Sequence, residues 1–119
     1  MLAGRKKRMQ QQYRIRKNGQ FRYVYRKGKH VSGKLFRLHY VQARRLQGGF
    51  SVSRSVGNAV VRNRVKRRMR ECFRLLIPSL KPGYYVFTAN AEAAGTGYRE
   101  LETQMRRHLD RLGLFKGSA

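Results

Sequence analysis

The chain has 119 residues, with 29 Lys plus Arg against 5 Asp plus Glu, a formal net charge of +24, and 40% hydrophobic residues. That is room for one compact domain with a modest core, and so strong a charge repels itself unless a polyanion compensates it, which favours nucleic acid as partner. No stretch approaches the roughly 18 to 20 apolar residues that span a bilayer, the basic start Met1 to Arg8 lacks the apolar core of a signal peptide, and the lone Cys72 leaves no internal disulfide; the expectation is a cytoplasmic protein without a membrane partner.

Residues 1–17 hold Arg5, Lys6, Lys7, Arg8, Arg14, Arg16 and Lys17 with three consecutive glutamines and few large apolar side chains. This predicts a basic arm, partly disordered without RNA, ahead of a single domain over 18–119. A short helix follows, with Asn18 as its cap, Phe21, Val24 and Tyr25 at i, i+3 and i+4, and Gly28 to close it. Residues 29–54 read as strands. His30-Val31 predicts a short one, Phe36, Leu38 and Tyr40 alternate with Arg37 and His39, and Gly48-Gly49 signals a turn before Phe50 and Val52 alternate with Ser51 and Ser53.

Asn58 begins the longest predicted helix, which ends at or before Pro78. Val61, Val65, Met69, Cys72, Phe73 and Leu76 form its apolar stripe; Lys66, Arg67, Arg70 and Arg74 point mostly away, with Arg62 near the edge. Pro82-Gly83 turns the chain into the largely apolar strand Tyr84 to Ala89. Thr96 precedes a last helix carrying Tyr98, Leu101, Met105, Leu109 and Leu112 on one face, and Gly113 ends it. The order is helix, strands, helix, strand, helix: one α+β domain.

The segment Arg62-Asn63-Arg64-Val65-Lys66-Arg67-Arg68-Met69-Arg70 is the most informative. Solvated helix faces normally mix signs, whereas residues 59–74 set seven Lys or Arg against Glu71 alone. Like charges at Arg62/Lys66, Lys66/Arg70 and Arg70/Arg74 each destabilise a helix by roughly 0.2–0.5 kcal/mol, a repulsion that bound phosphate would relieve.

Gly49-Phe50-Ser51-Val52-Ser53-Arg54-Ser55-Val56-Gly57-Asn58-Ala59-Val60-Val61-Arg62-Asn63-Arg64-Val65-Lys66-Arg67 closely resembles the signature of the bacterial ribonuclease P protein family. The resemblance extends to Phe21–Gly28, Phe36–Tyr40, Pro82–Ala89 and Gly113-Leu114-Phe115. It implies an α/β sandwich with an unusual left-handed crossover between parallel strands, where general rules give a right-handed one in roughly 98% of cases. It also implies an accessory subunit. The family's RNA holds magnesium and cuts, while the protein docks on that RNA, grips the 5′ leader of precursor tRNA and leaves a 5′-phosphate on the mature tRNA. No obligate protein partner is implied.

Carried over, Arg54, Asn58, Arg62, Asn63, Arg64, Lys66, Arg67 and Arg70 become the contacts to the catalytic RNA. Arginine binds phosphate bidentately, and an amide such as Asn63 offers both donor and acceptor, although spacing fits an ordinary surface amide as well. Phe21, Tyr25, Arg37 and His39 become the leader-binding set, because aromatic faces stack on unpaired bases. Spacing alone fits a core role for Phe21, Val24 and Tyr25 equally, and a local hydrogen bond for His39. Three positions depart from the family pattern: Ser55 and Gln47 stand where basic residues are common, and Asn90 where a basic residue usually follows alanine.

Cleavage by the chain itself is not expected. Metal-assisted phosphodiester hydrolysis needs convergent carboxylates, and Glu71, Glu92, Glu100, Glu102 and Asp110 are scattered, with Glu100 and Glu102 about 200° apart on a helix. His30, His39 and His108 form no recognisable acid–base pair, and neither a Cys/His zinc pattern nor a phosphate-binding Gly-rich loop occurs. The rivals are a structural ribosomal RNA-binding protein, a protein-only nuclease and a DNA-compacting protein.

Overall fold

The computed structural model describes residues 9–117, so Arg5 to Arg8 of the predicted arm lie outside the described residues. Four strands, β1 (Lys29–Ser32), β2 (Phe36–Val41), β3 (Gln47–Val52) and β4 (Tyr84–Ala89), form one sheet in the order β1-β2-β4-β3. The first three neighbours are antiparallel, and β3 and β4 run parallel. Parallel neighbours need a crossover, supplied here by α2 (Ala59–Leu76); α1 (Asn18–Lys27) precedes the sheet and α3 (Tyr98–Arg111) follows it.

The alternation read in β2 holds, with Phe36, Leu38 and Tyr40 buried against α2 and α3. The predicted stripe of α2 supplies Val65, Met69, Cys72, Phe73 and Leu76 to that core, and α3 supplies Leu101, Met105 and Leu109. The helix α1 lies on the opposite face, where Val24 packs with Ile15 and Val86. Strand β4 is therefore covered on both sides, Tyr85 and Phe87 facing one layer and Val86 the other, which is why its sequence reads as a continuous apolar run.

Three local expectations are corrected. Gly48-Gly49 is not a turn but part of β3, because a Cβ at Gly48 would lie 2.7 Å from the Phe73 ring and one at Gly49 would lie 2.7 Å from the Phe21 ring. Asn18 is the first helical residue rather than the cap, a position that Lys17 takes without any side-chain hydrogen bond. The ordered domain also starts before residue 18. Met9 and Ile15 are buried, and the Ile15 amide donates to the Gly48 carbonyl at 3.0 Å.

His108, a surface residue by polarity, is buried at 4% exposure. Its Nδ1 lies 2.8 Å from the Gln104 carbonyl oxygen and its Nε2 2.9 Å from that of Phe36, clamping α3 to β2. His108→Ala is expected to lower unfolding stability by about 1–3 kcal/mol, the cost of unpaired buried polar groups. A urea midpoint equal to that of the unaltered chain would show that the clamp contributes nothing.

Candidate nucleic-acid interface

Two surfaces on opposite sides of the sheet carry the expected binding residues. The first is the outward side of α2. Asn58 caps that helix, its Oδ1 accepting from the Val61 amide at 3.0 Å, so this side chain has a structural task before any RNA arrives. Arg54 is exposed in the 3-10 turn Arg54–Val56 just ahead, where the Ser53 hydroxyl accepts from the Ser55 amide.

On an ideal helix measured from buried Val65, Arg62, Lys66 and Arg70 fall at about 60°, 100° and 140°, Asn63 and Arg67 at about 160° and 200°, and Arg64 at about 260°. The predicted set thus wraps the whole outer half of α2. Asn63, Arg64 and Arg67 are exposed, and Arg62, Lys66 and Arg70 half-exposed. Arg74 and Arg68 of this helix are committed internally, Arg74 pairing with Glu71 at 2.6 Å and Arg68 donating to the Thr96 carbonyl at 3.1 Å. Among the described residues, Arg62, Arg64, Lys66 and Arg67 have no ion pair, so their charge is available to phosphate.

The second surface is the sheet face beneath α1. Cross-strand register sets Ser32, Arg37, Thr88 and Ser51 in one row and His30, His39, Val86 and Gly49 in the next. Tyr25 reaches down from α1, its hydroxyl 3.1 Å from Thr88 Oγ1 and its ring edge-on to His39 with centroids 5.0 Å apart. Arg37 is exposed on the same face. Phe21 is placed differently from Tyr25. It packs into the small cluster of Ile15, Val24 and Val86, while Tyr25 keeps 39% exposure.

One residue of this face was not anticipated. His30 stacks on His39 with centroids 5.3 Å apart and planes 23° from parallel, so two of the three histidines do meet. Only the β1–β2 register brings them together, and nothing in the local sequence marks it. Rings stacked face to face do not pass a proton between them, so the pair is a platform rather than an acid–base relay. Burial holds His39 below the ordinary imidazole value, and the electrostatic influence of the adjacent His30 and Arg37 adds to the effect. Its Nδ1 is buried and unpartnered.

The three departures from the family pattern have structural work. Gln47 accepts from Gln20 Nε2 at 2.7 Å and donates to the Gln12 carbonyl, fastening α1 and the N-terminal segment to β3. Asn90 donates to the carbonyls of Gly33 and Lys34 and so holds the β1–β2 turn. Ser55 shares a 2.7 Å hydroxyl contact with Ser53.

The described residues bring no three His, Cys, Asp or Glu side chains into one metal-binding group. Glu100 accepts from Gln104, and Glu102 lies 3.9 Å from Arg106. Cys72 is buried, and its thiol is pushed up to about 11, chiefly by that burial, which leaves it protonated at neutral pH. No helix among the described residues is long and apolar enough to cross a membrane.

The family model for Ribonuclease P matches residues 9–113. The ribonuclease P protein component of Clostridium kluyveri is 40% identical over 109 residues, covering 87% of this chain and 97% of that protein. The Staphylococcus aureus RNase P protein superposes with a TM-score of 0.81 at 28% identity, over 87% of this chain and 98% of that one. The Thermotoga maritima RNase P protein shares the fold, with a TM-score of 0.74 at 22% identity over 82% of this chain and 96% of that one. None of these similarities is to a structural ribosomal protein.

Proposed function

Since this chain belongs to the family of ribonuclease P protein components, accessory subunits of an endoribonuclease, we propose that it docks on the catalytic RNA through α2 and holds the 5′ leader of precursor tRNA beneath α1. The observation that carries the docking half is the set of unpaired cations around the outer half of α2, Arg62, Arg64, Lys66 and Arg67. A structural helix would have paired them, and phosphate both neutralises their repulsion and releases counterions on binding. Arg54, Asn63 and Arg70 extend that surface, and the amide of Asn58 stands at its N-terminal end. In the leader half, the exposed Tyr25 ring offers a stacking plane, His39 and His30 a second one, and Arg37 a charge for the backbone. Phe21 supports the platform from inside the cluster that seats α1.

In this reading the chain supplies no step of bond cleavage. Its residues neutralise phosphate, orient the leader and favour precursor over mature tRNA. In this reading magnesium is held by the RNA and the substrate. The particle would act in the cytoplasm.

Reconstitution tests the proposal. The purified chain, a bacterial ribonuclease P RNA and a 5′-labelled tRNA precursor are combined at low magnesium, with each macromolecule omitted in turn. Cleavage at the mature 5′ end only with protein and RNA together is the expected result; cleavage by the protein alone would overturn it.

The histidine platform adds a pH signature. Because burial and the adjacent His30 and Arg37 depress His39 in the folded chain, the unfolded chain takes up its proton first, and this group's contribution to stability is lost as pH falls below the ordinary imidazole value. A leader phosphate over His30, His39 and Arg37 reverses the local charge, so binding draws a proton in. Leader-dependent affinity is expected to rise as pH falls from about 7.5 to about 5.5. His39→Gln should flatten that rise, and a rise persisting unchanged in this variant would exclude His39 as its source.

A further inference from the structure

At the end of the sheet away from the start of α2, a depression of about 400 Å³ opens between the β2–β3 connection, the lead-in to β4 and the segment after α3. Its wall carries Lys29, Arg44 and Lys81 with Tyr40 as the aromatic floor, and among the described residues no acidic side chain lines it. These three cations come from places far apart in the chain, so the convergence is a product of the fold and not of a local basic run.

The corner is held in shape by its own backbone. The Lys81 amide donates to the Leu114 carbonyl at 2.9 Å, and the Gly83 amide to the Arg45 carbonyl at 3.2 Å. The Tyr40 hydroxyl donates to the Pro82 carbonyl at 2.5 Å. Gly83 sits at φ +148 with the Tyr40 ring so close that a Cβ would lie 2.4 Å from it, which fixes the loop against the floor. Lys29 is positioned too. Its Nζ donates to the Leu112 carbonyl at 3.1 Å and stands 5.7 Å from the Tyr40 ring centroid, leaving two of its three N–H donors for a ligand. Among the described residues, no hydrogen bond or ion pair involves the charged groups of Arg44 or Lys81.

We infer that this corner is a second RNA-backbone site, one that takes phosphodiester groups of the catalytic RNA; the inference rests on the proposed docking of the chain on that RNA. Three convergent cations without an acid favour an anion, and an open, polar-rimmed depression suits a strand that passes through better than an enclosed small molecule. The choice of strand follows from the side on which the corner opens. Tyr40 and Leu114 belong to the core layer shared with α2 and α3, whereas the leader cleft lies on the α1 face. A docked RNA would then be held at both ends of the layer that carries α2, which fixes the orientation of the protein on it as one helix contact would not.

The test compares the full chain with its Arg44→Ala/Lys81→Ala variant for binding to a ribonuclease P RNA transcript across a salt series. Lys29 is left in place because it also caps α3. Thermal midpoints of the two proteins are compared first, and Arg62→Ala/Arg64→Ala serves as a positive control for lost docking. The expected result is about tenfold weaker binding, with a log–log salt slope shallower by about 1.5, the signature of two phosphate contacts. Once the RNA is saturated with the variant, affinity for precursors with long and short leaders should match that of the unaltered holoenzyme. Unchanged affinity and slope would overturn the inference while leaving the docking role of α2 intact. A loss that appears only with long leaders would overturn it as well, by assigning the corner to the substrate. Failure of the unaltered chain to bind the RNA would remove the proposed function itself.

Discussion

Arg62→Ala/Arg64→Ala is expected to weaken binding to the catalytic RNA by about a hundredfold or more while leaving the fold as stable as before. Each charge-assisted hydrogen bond to phosphate contributes roughly 1.5–3 kcal/mol, so two lost together amount to about 3–6 kcal/mol. The two side chains leave α2 about 160° apart on an ideal helix, so they address both flanks of one docked strand and neither can replace the other. Stability should not fall with it. Removing Arg62 relieves its repulsion with Lys66, worth roughly 0.2–0.5 kcal/mol, and alanine is the better helix former. Filter binding and a thermal melt on the same preparations read the two quantities separately. Retained RNA affinity would sink the docking surface, whereas a fallen midpoint would mean that these arginines support the fold.

The second large effect is expected at Tyr25. Tyr25→Ala should reduce affinity for a precursor carrying its leader by about 5- to 150-fold, the equivalent of one lost stacking interaction of roughly 1–3 kcal/mol, and should leave affinity for leaderless tRNA unchanged. Tyr25→Phe separates the ring from the hydroxyl. It keeps the plane beside His39 and removes only the contact with Thr88, so it should bind leaders almost as the unaltered chain does. Equal losses with and without a leader, measured in the holoenzyme, would refute the cleft assignment. Phe21→Ala is no substitute for this test, since its ring seats α1 on Gly49 and Ile15 and its loss would disturb the whole wall.

What the sequence made legible is what local chemistry decides. The Asn58 cap, the stripe of α2 and the alternation in β2 depend on neighbours a few positions away, and the structure has them where the pattern places them. What it hid depends on distant partners. Gly48 and Gly49 look like a turn until Phe73 and Phe21 arrive to occupy the space a side chain would fill. His30 and His39 become a pair only through register, and Gln47 and Asn90 look like weakened RNA contacts until the segments they fasten are in place. The basic corner is the extreme case, since Lys29, Arg44 and Lys81 are unremarkable one at a time. The resemblance to a known family supplied the roles proposed for α2 and the cleft, which spacing alone left open between core and surface.

The strand order has a consequence for how the molecule comes into being. Strands β2 and β3 are consecutive in the chain, yet β4 stands between them in the sheet. A polypeptide emerging from its N-terminus has made the β1–β2 hairpin, the isolated strand β3 and the whole basic helix before the keystone strand exists. Until Ala89 has been added, Phe73 and the rest of the apolar stripe have no completed sheet to cover. Pairings so remote in sequence form slowly, because the intervening loop must close before any contact compensates it. Completion of the sheet is therefore expected to wait for β4, and a nascent chain with an unpaired β3 and an uncovered apolar stripe is expected to be open to aggregation until then. A chain that presents its cations in the right array has, by the same token, finished folding.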